Sequence, residues 1–173
     1  MKILLVNPPS GDIWRHINIL LPPMSLMALA AYLREHDYEV DLHDFQLNRR
    51  EIPTFDFSSY DVVGIGTNTS RFPISMKIAK HAKAAGAFVV MGGPHPGYVP
   101  EETLASGDVD VVAIGEGEQT LLELVRAIER KERFDDIAGL AFRRNGEVVI
   151  TPDRTIIKDL DSLPMPAYHL VPM

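Results

Sequence analysis

The sequence predicts an α/β fold: a doubly wound five-stranded parallel sheet in the flavodoxin-like order 2-1-3-4-5, with a C-terminal β-hairpin and an extended linker. Three observations predict it. Short apolar runs alternate with helical segments five times, the pattern of a parallel sheet covered on both faces. The runs end in loops rich in Gly, Pro, Asn, Thr or Ser. After the last helix, Asn145-Gly146 sits between two strand-like stretches, a strong hairpin signal.

Taken in order, Ile3-Leu4-Leu5-Val6 reads as a strand buried on both faces. Asn7-Pro8-Pro9-Ser10-Gly11 stops it, because proline cannot donate to a ladder. An irregular segment with Trp14, Arg15, His16 and Asn18 leads to Pro22-Pro23, which opens a helix. Leu26, Leu29, Ala30 and Leu33 form its apolar face. Glu39 to His43 alternates, as at a sheet edge, and Asp44 to Tyr60 reads as a loop with one short helix.

Val62-Val63-Gly64-Ile65 is the next buried strand, ending in Gly66-Thr67-Asn68-Thr69-Ser70. A helix from about Pro73 presents Ile74, Ile78, Ala82 and Ala85, and Gly86 stops it. Ala87 to Met91 is the fourth strand, followed by the bare, stiff loop Gly92-Gly93-Pro94-His95-Pro96-Gly97. Pro100 to Leu104 is a short helix, and Val111 to Ile114 the fifth strand, ending at Gly115-Glu116-Gly117-Glu118. The last helix turns Leu121, Leu124, Val125 and Ile128 inward. The expected divisions are 1–136 for the Rossmann-like domain, 137–152 for the hairpin and 153–173 for the Pro-rich linker. The abrupt end at Met173 suggests a fragment of a longer protein.

A ligand of such a sheet binds beyond the C-terminal ends of the strands, where the first and third diverge. The loops arriving there start at Asn7, Gly66, Gly92 and Gly115. Composition narrows the chemistry. No cysteine is present, which removes disulfides, thiolate metal sites, iron–sulfur ligation and a thiol nucleophile. The formal charge of −7 argues against a nucleic-acid surface, and Arg49-Arg50 and Arg143-Arg144 read as solvated loop charge. No signal peptide or membrane-length apolar run is visible, so the expectation is a soluble, cytoplasmic chain. The six histidines show no metal-binding spacing. Walker A, G-x-G-x-x-G and G-x-S-x-G motifs are missing. Gly64-Ile65-Gly66 reads as packing at a strand end. By elimination, four small-residue loops on one rim read as a cofactor cradle.

The motifs resemble the N-terminal cobalamin-binding domain of the cobalamin-dependent radical S-adenosylmethionine enzymes. The resemblance rests on Asn7-Pro8-Pro9, Pro22-Pro23 with Leu26, and Ala30-Ala31-Tyr32-Leu33-Arg34. It also rests on Gly92-Gly93-Pro94-His95, on Gly115-Glu116-Gly117-Glu118 with Thr120-Leu121, and on the tail Leu160 to Ala167. It implies cobalamin in this domain. It places the iron–sulfur cluster and S-adenosylmethionine in an absent downstream radical domain, since the C-x-x-x-C-x-x-C motif is not in this chain. The D-x-H-x-x-G motif that supplies a lower cobalt ligand in cobalamin mutases is replaced by Asn7-Pro8-Pro9-Ser10-Gly11-Asp12, which implies cobalt without a protein histidine.

The resemblance also assigns jobs. Thr67, Asn68 and Thr69 would hydrogen-bond the nucleotide tail, and Gly92 and Gly93 would let it pass the backbone. Pro94 and His95 would lie near the corrin or the tail, and Gly115, Glu116 and Gly117 would meet the nucleotide or the corrin amides. Asn7, Pro8, Pro9 and Ser10, with the Leu21 to Met24 turn, would face the lower side of the ring. Duller readings stay open: a plain turn for Gly92-Gly93, an idle loop histidine for His95, a surface histidine for His16, and core methionines at Met24 and Met27. Trp14 either caps the pocket or packs on the core. No catalytic residue is assigned; the chain would bind and position cobalamin for a methyltransferase or related enzyme. Two rivals are a scaffold or docking domain that has lost cobalamin, and a flavodoxin-like domain for another nucleotide.

Overall fold

The computed structural model describes residues 1–10, 21–47 and 49–171. Trp14, Arg15, His16 and Asn18, together with Gly11 and Asp12, lie outside the described residues. The strands are β1 (Lys2–Asn7), β2 (Glu39–Asp44), β3 (Val62–Gly66), β4 (Phe88–Gly92), β5 (Val111–Ala113), β6 (Leu140–Arg144) and β7 (Glu147–Ile150). The helices are α1 (Met24–Glu35), α2 (Phe72–Ala84), α3 (Pro94–Tyr98), α4 (Pro100–Leu104) and α5 (Gly117–Arg130), with a 3₁₀ turn at Arg49–Thr54.

They form one mixed sheet in the order β2-β1-β3-β4-β5-β6-β7. Among the described residues the sheet has seven strands rather than five, because the expected hairpin joins it. The hairpin is part of the sheet: β6 pairs antiparallel with β5, matching Val111 to Phe142 and Ala113 to Leu140. The reason is visible in the sequence of β6, where Leu140, Ala141 and Phe142 are all buried, so the hairpin cannot stand off in solvent. Arg143 and Arg144 end β6 and are not free loop charge. Arg143 Nε donates to the Leu104 carbonyl, and Arg144 pairs with Asp135.

Side chains alternate across the strands, so each face has its own core. One face carries Ile3, Leu5, Val62, Val90 and Val111 and is covered by α1 and α5 through Leu26, Ala30, Leu33, Leu121, Leu124 and Val125. The other carries Leu4, Val6, Val63, Ile65, Val89, Met91 and Val112 and is covered by α2 and α4 through Ile78, Ala79, Ala82 and Leu104. On α2 the inward stripe is Ser75, Ile78, Ala79 and Ala82. The expected Ala85 is exposed, because the helix has ended at Ala84 and Gly86 takes φ +94 to turn the chain.

The tail shows no core face in sequence, yet it docks. Arg154 donates from Nε to Thr120 Oγ1 at 2.7 Å and pairs with Glu123 on α5. The Ile157 amide donates to Glu116 Oε2 at 2.6 Å. The Ala167 amide donates to the Met27 carbonyl on α1 at 3.0 Å, and Ala167 is buried. Residues 154–167 thus touch both helices of one face.

Candidate functional site

A cavity of about 580 Å³ opens at the C-terminal end of the parallel strands, on the α1/α5 face. Two rows of the sheet build its back wall. The upper row holds Asn7, Gly66, Gly92 and Ala113; the lower holds Leu5, Gly64 and Val90. Pro22, Pro23, Met24, Ser25, Leu26 and Leu29 form the α1 side. Gly115, Glu116, Gly117, Glu118 and Leu121 form the α5 side.

Beside the cavity, glycines let neighbouring leucine side chains pack close against bare backbone. A Cβ on Gly64 would stand 2.8 Å from Leu5 Cδ2, one on Gly66 2.9 Å from Leu26 Cδ2, and one on Gly117 2.9 Å from Leu29 Cδ2. Gly64-Ile65-Gly66 does pack closely at a strand end, Gly64 against Leu5 and Gly66 against Leu26, and both glycines also line the cavity, while Ile65 between them belongs to the opposite core. Gly93 has φ +110, and a Cβ there would overlap the Thr67 carbonyl oxygen. Only glycine lets the β4 turn lie against the β3 turn so closely. The Thr67 amide donates to the Gly92 carbonyl at 2.9 Å, which ties the two turns together.

Polar groups collect at the mouth. Arg71 Nη1 donates to Asn7 Oδ1 at 2.9 Å, and Asn7 Nδ2 donates to Asp44 Oδ1 at 2.9 Å. Ser10 Oγ donates to Gln46 Oε1 at 3.0 Å, which holds the start of the β1 loop on the β2 end. Burial pushes the Asp44 carboxyl above its ordinary range, partly opposed by hydrogen bonds from the Gln46 amide and Asn7. The Thr67 hydroxyl is buried and accepts from Ser75 Oγ at 2.7 Å. Asn68 Oδ1 accepts from the Arg71 amide and Ser70 Oγ, steadying the turn into α2.

Of the residues expected at the site, the cavity brings together Asn7, Thr67, Asn68, Gly92, Gly93, Pro94, Gly115, Glu116 and Gly117. It leaves Pro8, Pro9, Ser10, Thr69 and His95 out of its lining. Pro8, Pro9 and Ser10 are buried behind the rim. His95 is on α3, where the expected loop is a helical turn started by Pro94, and its ring packs on Phe72 at 4.2 Å. His95 Nδ1 lies 3.3 Å from Thr69 Oγ1, so these two residues engage each other beside the cavity. Glu116 reaches the lining, but one carboxylate oxygen holds the Ile157 amide. Sequence reading missed Arg71, Ser25, Glu118 and Leu29 as lining residues; for Met24 it offered both a ligand-facing turn and a core position, and Met24 is exposed at the mouth. The available signal was the pair of glycines two apart in β3, which marks one face of a strand as bare. Among the described residues no histidine lines the cavity, and no group of three or more metal-ligating side chains occurs. No described helix is long and apolar enough to cross a membrane.

A deep slot behind a polar rim, on the strand ends of a doubly wound sheet, defines a cofactor-binding module of the Rossmann-like class. Residues 13–125 match the B12 binding domain family, and the chain belongs to that family. An uncharacterized methyltransferase of Pyrococcus horikoshii is 40% identical over 184 residues, covering 100% of this chain and 39% of the relative. The anaerobic magnesium-protoporphyrin IX monomethyl ester cyclase of Synechocystis is 27% identical, covering 93% of this chain and 34% of the relative. The cytidylyl-2-hydroxyethylphosphonate methyltransferase of Streptomyces wedmorensis is 28% identical, covering 97% and 40%. The chain thus spans well under half the length of these curated relatives.

Among solved structures, the cobalamin-dependent S-adenosylmethionine radical enzyme OxsB, with aqua-cobalamin and S-adenosylmethionine bound, superposes with a TM-score of 0.80 at 21% identity. That match covers 96% of this chain and 24% of OxsB. The radical S-adenosylmethionine methyltransferase TsrM from Kitasatospora setae, with cobalamin and an iron–sulfur cluster bound, gives 0.74 at 21% identity, covering 95% and 31%. The family match thus makes this chain a B12 binding domain, and it shares its fold with domains of the cobalamin-dependent radical enzymes OxsB and TsrM.

Proposed function

We propose that this chain binds and positions cobalamin, without a protein ligand below the cobalt, as the cofactor-holding part of a radical S-adenosylmethionine enzyme, a methyltransferase or close relative. The observation that carries the reading is the slot itself. It is lined by Gly64, Gly66 and Gly117, floored by aliphatic side chains and rimmed by hydrogen-bonding groups. That gradient suits a flat, amide-bearing macrocycle at the mouth with a nucleotide tail descending beside the sheet. When bound, cobalamin supplies a cobalt centre that carries a methyl group.

The chain's own residues would do the holding. Asn7, Asn68, Arg71 and Glu118 would meet the polar periphery, with Pro94 and the Gly92-Gly93 and Gly115 turns as backbone walls. Thr67 would shape the wall more than bind, since its hydroxyl is shared with Ser75. Pro8, Pro9, Ser10, Thr69 and His95 would support the rim from behind or beside it. Radical chemistry, with its iron–sulfur cluster and S-adenosylmethionine, would belong to a domain outside this chain. The test is direct: incubate with hydroxocobalamin, desalt, and record the visible spectrum. Stoichiometric corrin absorbance is expected. After reduction to the cobalt(II) state, the electron paramagnetic resonance spectrum should lack nitrogen splitting from a lower ligand. A desalted protein with no corrin absorbance would refute the binding, and nitrogen splitting that persists when cobinamide, which has no base of its own, replaces cobalamin would refute the missing protein ligand.

A further inference from the structure

No residue of the tail 154–167 lines the slot, yet the tail holds one residue of the slot's wall from two sides. That residue is Glu116, which lines the cavity and caps the start of α5. It stands between Gly115, which has φ +79, and Gly117, so the turn has little stiffness of its own. The tail supplies the restraint. The Ile157 amide donates to Glu116 Oε2 at 2.6 Å. Arg154 Nε donates to Thr120 Oγ1 at 2.7 Å, and that hydroxyl donates in turn to the Glu116 carbonyl at 3.1 Å. Thr120 is fully buried, so no water can replace either partner. The Arg154 guanidinium braces α5 again through Gln119 and Glu123. At the far end of the tail, the Ala167 amide donates to the Met27 carbonyl on α1, the helix whose Met24, Ser25 and Leu26 wall the slot opposite α5.

Resting on the cobalamin reading above, we infer that Arg154 and Ile157 are positioning residues for corrinoid binding: the docked tail fixes Glu116 in the arrangement the ligand meets, and an occupied slot tightens the tail in return. The case is one of order. A ligand that presses on a loose Gly115 to Gly117 turn must immobilise it, at a cost in conformational entropy that weakens binding. With the tail docked, the carbonyl and one carboxylate oxygen of Glu116 are held before the ligand arrives. Among the described residues Glu116 Oε1 has no hydrogen-bond partner, so the carboxylate can serve the tail through one oxygen and a ligand amide through the other. Tail and ligand need not meet. Each favours the other through the residue that both restrain.

The test measures both directions of the coupling on the purified chain. Hydroxocobalamin affinity, from equilibrium dialysis, should fall by about fivefold or more in Arg154→Ala, the lower end of ordinary coupling between sites. In the wild-type chain, saturating hydroxocobalamin should slow amide exchange at Ile157 by about fivefold or more, read where Ile157 exchanges faster than the sheet amides and its opening is therefore local. An Arg154 with a merely structural role would lower the melting temperature and move neither readout. Wild-type affinity in a folded Arg154→Ala chain, or unchanged Ile157 exchange in the corrinoid-loaded wild type, overturns the coupling and leaves the cobalamin reading standing. An affinity loss far larger than the slowing also overturns it, because both factors read one coupling free energy and the excess would put Arg154 on the ligand itself. Should Arg154→Ala fail to fold, the exchange measurement on the wild type decides alone. A wild-type chain that retains no hydroxocobalamin overturns the cobalamin reading and this inference with it.

Discussion

The two faces of the sheet are made from the same strands but are built to opposite specifications. Toward α2 and α4, the upper strand positions are Val6, Ile65 and Met91, all fully packed. Toward α1 and α5, the neighbouring positions are Asn7, Gly66 and Gly92, with Gly64 one step lower. One residue of register separates a close-packed core from a slot of about 580 Å³. Strand alternation lets one segment serve both purposes, because what fills one face leaves the other untouched. The packed face supplies the stability against which the bare face can remain unfilled.

That division of labour can be broken from either side. The largest stability loss should come from the packed face. Met91→Ala removes a side chain with no solvent exposure, and a cost of about 3 kcal/mol is expected from lost burial and the cavity left behind. Urea denaturation would show this loss, while corrinoid affinity in the folded protein stays within about twofold, since Met91 does not line the slot. A large drop in affinity would mean the faces are not independent. Gly64→Ala should behave in the opposite way. The new methyl meets only the end of the Leu5 side chain, at 2.8 Å, so stability should change by less than about 1.5 kcal/mol. Corrinoid affinity should fall by about tenfold or more, because Leu5 is displaced into the slot. Retained affinity in a folded Gly64→Ala protein would disconnect the slot from binding.

The asymmetry also explains what was legible in the sequence. Continuous apolar runs such as Ile3 to Val6 and Val62 to Ile65 announce strands buried on both faces, and the small-residue loops announce the rim. Gly92, Gly93 and Gly115 stand out because they follow strands, and the structure brings them to one cavity. Gly64 and Gly66 do not stand out, because a glycine inside a strand is equally consistent with a bulge or a close packing contact. Their meaning depends on Leu5 and Leu26, which arrive from other elements. Arg71 was invisible for a similar reason: its partners Asn7 and Gln46 lie 64 and 25 residues away. The hairpin was legible as a hairpin, but its pairing with β5 was not, since Asn145-Gly146 encodes a turn and says nothing of the next strand. His95 shows another limit of sequence. A histidine in a Gly/Pro loop reads either as a neighbour of the ligand or as idle, and only the fold shows its ring packed on Phe72 and close to Thr69 beside the slot.

The tail sharpens the comparison, because its polar anchors fall on the hollow face. Arg154 reaches Thr120, Gln119 and Glu123 on α5, while Ala167 hydrogen-bonds Met27 on α1. The two helices flanking the slot are therefore bridged by one segment. Arg154→Ala should cost roughly 1–2 kcal/mol, since Arg154 is mostly buried but its partner Glu123 can rehydrate. The more telling readout is local. Amide exchange at Ile157, whose proton is held by Glu116, should accelerate well beyond the global change. Uniform acceleration across the sheet would show that the tail is part of the core and not a strap over the hollow side.

The smallest effect tests the rim, where the hollow face keeps a carboxylate half-buried. Asp44 holds Asn7, which holds Arg71 at the mouth. Its folded-state pKa is raised, chiefly by burial. A raised acid binds its proton more tightly in the folded chain than in the unfolded one. Its ionisation therefore opposes folding, and this penalty develops as pH climbs through the unfolded value near 4 toward the folded value, remaining complete above it. Asp44→Asn removes the penalty and keeps an oxygen to accept from Asn7. It should raise the melting temperature slightly at pH 7, with the gain shrinking as pH falls toward 4. A loss of stability at pH 7 would show instead that attraction to the Arg71 guanidinium outweighs burial, making the rim an electrostatic anchor in its own right.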